Sequence, residues 1–196
     1  MRQFLIRISR KLFGWPPAPA TFVEKKNLIW HTGREFGVKV FIETGTFRGE
    51  MIDAQREHFQ KLISIELNEE LFQAARLKYA SAPQIQLHQG DSGIKLKEAV
   101  REVNEPVLFW LDAHYSWGNT AGGNEAAPII RELTCLTSRS KLNDVILIDD
   151  ARLFGLKGDY PRLEVIREFA ARHWPRHVFA IKSDVICILP SQGMPG

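Results

Sequence analysis

Residues 38–50 read VKVFIETGTFRGE, and the passage from apolar run to glycine turn to helix start within this stretch decides how the rest of the chain is read. The run at 38–43 predicts a strand. In Glu43-Thr44-Gly45-Thr46-Phe47-Arg48-Gly49, Gly45 lets the backbone turn tightly and approach a ligand, and the following helix offers unpaired N–H groups to a negative or polar group. An ExGxxxG pattern alone also suits a plain βα turn, so its neighbours must decide.

Working outward, a helix at 22–36 precedes this stretch, after a Pro-rich break at 16–19. Strand-like runs at 38–43, 61–66, 85–89, 107–112, 144–149, 177–182 and 185–189 alternate with helical patterns near 50–59, 68–80, 93–103, 125–138 and 160–174. Such alternation predicts a parallel sheet covered by helices on both faces. Only Ser183 and Asp184 separate HVFAIK from VICILP, too few residues for a crossover helix, so the last two strands form a hairpin and one of them is antiparallel. Five βα units closed by a hairpin differ from the two similar halves of the usual dinucleotide-binding layout.

The 196 residues suit one such domain at 22–190, with an N-terminal extension at 1–21 and a short tail at 191–196. No apolar run reaches the roughly 20 residues a membrane-spanning helix needs. The net charge of +3 is local: Arg2, Arg7, Arg10 and Lys11 carry four positive charges, leaving 3 − 4 = −1 for everything after Lys11. The body therefore lacks the distributed basic face that nucleic acid requires. Cys135 and Cys187 read as buried small hydrophobes, with no zinc-type spacing, which suits a reducing cytoplasm. In residues 1–15, Phe4, Leu5, Ile8, Leu12 and Trp15 fall near one helical stripe. Two readings stand, a helix lying on an anionic membrane surface or one packing on its own domain or on a homodimer partner; the second is favoured because amphipathic helices of soluble proteins mostly cover cores.

The chemistry-bearing residues gather at strand ends. Glu66 closes the second strand, 21 positions after Gly45; it reads either as a solvated carboxylate starting the next helix or as an acceptor for the hydroxyls of a ribose, and its place directly after an alternating apolar strand favours the ribose. Asp91 and Ser92 end the third strand, suited to capping the next helix, to hydrogen-bonding an adenine edge, or to both.

These features resemble the class I S-adenosylmethionine (SAM)-dependent methyltransferases over essentially residues 22–190, terminal hairpin included. ETGTFRG is most similar to the first motif of the small-molecule O-methyltransferases of the catechol, caffeoyl-CoA and macrocin types, with Phe47 where other branches have a second glycine. The resemblance implies an α/β Rossmann-like three-layer sandwich with a mostly parallel seven-stranded sheet. It places the cofactor over Glu43, Thr44, Gly45, Thr46, Phe47 and Gly49, its ribose at Glu66 and Leu67, its adenine near Asp91 and Ser92, and its reactive end near Asp112.

The fourth strand delivers Asp112 and His114, and the fifth Asp149 and Asp150. Adjacent parallel strands bring these ends together, and converging carboxylates suit Mg²⁺ or Ca²⁺. The catechol-type enzymes, which the chain resembles here, take metal ligands from these places, implying Asp112, Asp149 and Asp150. They carry a lysine three positions after the first Asp; here that residue is Tyr115, so a general base comes from His114, Tyr115 or the metal. In the competing reading Asp149 and Asp150 cap a turn and Asp112 only touches cofactor. Gly118, Gly122 and Gly123, with Trp117, make residues 116–128 a candidate lid.

The leading expectation is methyl transfer to a hydroxyl of a small molecule. A nucleotide-dependent enzyme of other chemistry, such as an NAD-linked oxidoreductase, and a non-catalytic SAM-binding protein are the alternatives. The closing hairpin argues against the first of these, and the acidic strand ends against the second.

Overall fold

The computed structural model describes residues 18–112, 128–156 and 160–191. The amphipathic stripe at 1–15, the glycine-rich lid, His114 and Tyr115 lie outside the described residues.

The first helix among the described residues, α1 (Phe22–Glu35), starts at a capping box: Glu24 N–H donates to the Thr21 hydroxyl at 3.2 Å, while Thr21 N–H donates to the Glu24 carboxylate at 2.8 Å. Then follow β1 (Val40–Thr44), α2 (Glu50–Gln55), β2 (Lys61–Glu66), α3 (Glu69–Lys78), β3 (Ile85–Gln89), α4 (Ser92–Ala99) and β4 (Val107–Leu111). The second half runs α5 (Pro128–Leu136), β5 (Val145–Ile148), α6 (Leu163–His173), β6 (His177–Lys182) and β7 (Val185–Pro190).

The seven strands form one sheet in the order β3-β2-β1-β4-β5-β7-β6. Strands β1 to β5 pair in parallel, and β7 runs antiparallel to both β5 and β6. Ser183 and Asp184 both have positive φ (46° and 63°), the backbone of the two-residue hairpin turn that matches strand twist.

Period-two alternation splits the apolar residues into two layers. Val40, Ile42, Phe109 and Leu111 pack under α4, α5 and α6 with Leu96, Leu133 and Ile166. Phe41, Leu108 and Trp110 pack on the other face with Ile29 of α1 and Ile52 of α2. These core side chains are shielded from water, each contributing about 1.5–3 kcal/mol.

At the amino ends of the strands the core holds a charged clamp. Arg139 makes a paired contact with Asp144, Nε to Oδ2 and Nη2 to Oδ1, both 2.9 Å, and Nη2 also donates to the Glu105 carbonyl at 2.8 Å. Asp144 Oδ1 in turn accepts the Val107 N–H at 2.9 Å. The clamp fixes β4 beside β5 from below, leaving their carboxyl ends to present side chains.

The sheet order reverses at β1, whose chain neighbour β2 lies on one side and β4 on the other. Open α/β sheets bind ligands in the crevice outside the carboxyl ends at such a switch point.

Candidate cofactor and active site

At the end of β1, Glu43 is buried, and its Oε1 accepts the Ser64 hydroxyl at 2.7 Å. Ser64 Oγ lies 2.5 Å from Thr46 Oγ1, so a short polar chain ties the β1 turn to β2. Burial pushes the Glu43 carboxyl up to about 8; the Ser64 bond opposes this, and the nearby charges of Asp112 and Glu66 add to it.

Gly45 has φ +87°, and a Cβ there would sit 3.8 Å from Asp112 Cβ. A glycine keeps the crevice between β1 and β4 open where the backbone must also turn left-handed. Phe47, also left-handed at φ 48°, aims its N–H at Glu66 Oε2 across 2.8 Å. Glu66 Oε1 accepts the Asn68 N–H at 2.8 Å. Two backbone donors thus lock this buried carboxylate at the mouth of the crevice, and each oxygen retains acceptor capacity for a hydroxyl. Leu67, beside it, is exposed.

Gly49 faces elsewhere. It caps α2 with φ +75°, and a Cβ would meet Tyr79 Oη at 2.2 Å, because that hydroxyl donates to the Gly49 carbonyl at 2.8 Å. Gly49 packs α2 against α3 while Gly45 shapes the crevice.

Asp91 caps α4, accepting the Gly93 N–H at 2.8 Å on one oxygen and Arg131 Nη2 at 2.8 Å on the other. The Ser92 hydroxyl donates to Glu132 at 2.5 Å. Both predicted adenine contacts are therefore already engaged with α5. Glu132 is buried, and burial pushes its carboxyl up to about 7, with the Ser92 bond opposing. The Thr44 hydroxyl and the second Glu132 oxygen are both buried without a hydrogen-bond partner among the described residues.

Asp112, half-buried, follows β4, and the Asp149 N–H donates to the Leu111 carbonyl at 3.0 Å, so the ends of β4 and β5 adjoin as the sequence predicts. Asp149 Oδ2 is ion-paired with Lys25 of α1, and its Oδ1 accepts the Asp150 N–H at 2.7 Å. Burial nonetheless raises its carboxyl to about 6. Asp150 turns left-handed at φ 56° and meets Arg152 Nη1 at 2.5 Å, with Lys25 Nζ 3.9 Å away. Arg152 also pairs with Asp184 of the hairpin. Among the described residues no group of three or more His, Cys, Asp or Glu side chains is arranged to hold a metal ion.

Sequence reasoning passed over Lys25, Ser64, Glu132 and Tyr160. Tyr160 stands edge-on to Phe154 at 5.2 Å, and burial, then the charges of Asp150, Asp112 and Asp149, push its hydroxyl up to about 12. It is thus a phenol within electrostatic reach of the three carboxylates that stays protonated at physiological pH. Ser64 and Glu132 left a signal, a polar residue on an otherwise apolar face. Lys25 left none.

No family model matches the chain, and no curated protein matches it by sequence. Solved structures do match it by fold. The O-methyltransferase TomG from Streptomyces achromogenes, involved in tomaymycin synthesis and solved with SAM, aligns at 17% identity over 96% of this chain and 89% of its own, with a TM-score of 0.60. The methyltransferase PaMTH1 of Podospora anserina, bound to S-adenosylhomocysteine (SAH), aligns at 17% identity over 85% and 77%, TM-score 0.58. An O-methyltransferase from Bacillus cereus in complex with SAH aligns at 15% identity over 96% and 89%, TM-score 0.55. The chain has the fold of the class I SAM-dependent methyltransferases.

Proposed function

We propose that this protein is a SAM-dependent methyltransferase that methylates a hydroxyl of a small molecule. The observation that carries this reading is the Glu66 carboxylate, held by the Phe47 and Asn68 N–H groups beside the open Gly45 turn at the switch point of the sheet. Fold likeness to O-methyltransferases supports it.

The residues present fit the cofactor: Glu66 offers acceptors to a ribose, and the missing Cβ of Gly45 leaves room over β1. SAM, when bound, supplies an activated methyl group, so little covalent chemistry is asked of the protein. Asp112 stands across the crevice from Gly45, where it orients the reacting end. Tyr160, whose hydroxyl burial keeps protonated, is our candidate hydrogen-bond donor to the acceptor. His114, two positions after Asp112, is our candidate to take the hydroxyl proton as the methyl is transferred, with Tyr115 the alternative. Most of the acceleration then comes from holding both reactants in line.

The carboxylates do not fit Mg²⁺ as ligands while Lys25 and Arg152 hold them, and no step is assigned to a metal. The cytoplasm suits the two free thiols, Cys135 and Cys187. No described helix is long and apolar enough to cross a membrane. Residues 1–15 are proposed to pack on the domain or on a second copy of it, with a membrane surface as the other reading.

Calorimetric titration with SAH and with NAD tests the reading. Binding of SAH alone supports it; binding of NAD alone replaces it with another nucleotide chemistry.

A further inference from the structure

We propose that the Lys25 ammonium is a built-in counter-ion that occupies the place a divalent cation would need at Asp149 and Asp150, so that this carboxylate pair is closed to metal. The inference stands on ion-pair geometry and holds whatever reaction the crevice performs.

Two carboxylates on consecutive residues at a sheet edge need positive charge nearby, and burial makes the need acute. Asp149 and Asp150 are both buried. The structure meets the need twice from within the chain. Lys25 reaches from the first turns of α1 to Asp149 Oδ2 and stands 3.9 Å from Asp150 Oδ1. Arg152, two residues on, holds Asp150 Oδ1 at 2.5 Å and ties it to Asp184. The other oxygen of Asp149 accepts the Asp150 N–H, so an incoming ion would have to share each Asp149 oxygen with a donor already in place.

Magnitudes favour exclusion over sharing. Like charges in close contact repel strongly at the low effective dielectric of a protein site, and a divalent ion beside an ammonium would feel about twice the repulsion of a monovalent one. A metal must therefore displace Lys25, which α1 holds in place: the helix is capped at Thr21 and packs Ile29 into the core. An ammonium also differs from Mg²⁺ in kind. It brings fixed charge and N–H donors, with no exchangeable coordination positions for a substrate oxygen.

The test is Mn²⁺ titration followed by electron paramagnetic resonance on the full chain, in the wild type, Lys25→Met, and Lys25→Met combined with Asp149→Asn. Wild type should leave Mn²⁺ free. Lys25→Met should bind it tighter by roughly one decade or more, and the double variant should lose that gain. Wild type binding Mn²⁺ in a way that Asp149→Asn abolishes would overturn the proposal, as would a folded Lys25→Met that gains nothing. Should Lys25→Met fail to fold, the thermal midpoint of the wild type decides: no rise with added Mg²⁺ upholds the proposal, whereas a rise that disappears in Asp149→Asn refutes it.

Discussion

The Ser92 hydroxyl donates to the buried Glu132 carboxylate at 2.5 Å, joining the start of α4 to the middle of α5 directly behind the crevice. Burial dominates this group and raises it to about 7 from an ordinary value of 4.5. An acid raised on folding is neutral in both states at low pH. Between its unfolded and folded values only the unfolded state ionises, so stability falls across that window and levels off above the folded value. We expect Glu132→Gln to gain on the wild type as pH rises from about 5 to 8, by an amount on the order of a few kcal/mol. Urea unfolding of both proteins at the two pH values measures it; a difference that does not change with pH would show that Glu132 ionises without cost.

Glu66→Ala should weaken SAH binding by about one to two decades, since hydrogen bonds to a charged acceptor contribute roughly 1.5–3 kcal/mol. The substitution also strips an acceptor from the Phe47 and Asn68 N–H groups. Glu66→Gln, which keeps one acceptor oxygen, is therefore the companion variant and should lose less. Unchanged affinity in a folded Glu66→Ala protein would remove this residue from the site.

Arg139→Met leaves Asp144 buried without its partner, and breaking such a pair costs about 3–5 kcal/mol. The clamp lies at the opposite end of the strands from the crevice. Denaturant unfolding should therefore show a large loss of stability while SAH affinity at low temperature is unaltered. Loss of affinity in parallel with stability would mean the clamp also positions the site.

Gly49→Ala should destabilise by more than the roughly 1–2 kcal/mol that a left-handed non-glycine residue costs, because the new Cβ meets Tyr79 Oη. In a Tyr79→Phe background the oxygen is gone and the penalty should shrink. A double-mutant cycle reads the coupling; strictly additive losses would show that Tyr79 gives way freely.

Much of this architecture is legible in the sequence, because the strands here are short apolar or alternating runs bounded by turn and helix signals. The runs at 61–66, 85–89 and 177–182 match β2, β3 and β6 end to end, while β1 ends one residue later than its hydropathy suggests. Helices are less well bounded: α2 stops at Gln55 and α4 at Ala99, where local turns replace the last helical bonds without any change in apolar spacing. The hairpin was forced by its two-residue link, but which strand β7 joins is a matter of tertiary pairing. The strand ends that carry Glu43, Glu66, Asp112 and Asp149 follow directly from the alternation. What neutralises them does not. Lys25 and Asp149 are 124 positions apart, and the pair Lys25-Lys26 on a helix that is mostly polar gives no periodic sign of which lysine points inward.

The strand order carries a consequence for how the chain assembles. β6 precedes β7 in the sequence, yet β7 is the strand that joins β6 to the rest of the sheet. As the chain leaves the ribosome, β2 to β5 each find a partner strand already made, whereas β6 emerges before the strand it pairs with. Until residues 185–190 arrive, the backbone of Val145–Ile148 is an open edge, the kind of surface through which nascent chains aggregate. The half of the molecule around Gly45 and Glu66 is therefore free to condense early, and closing the last turn at Ser183 and Asp184 becomes the late event that seals the sheet.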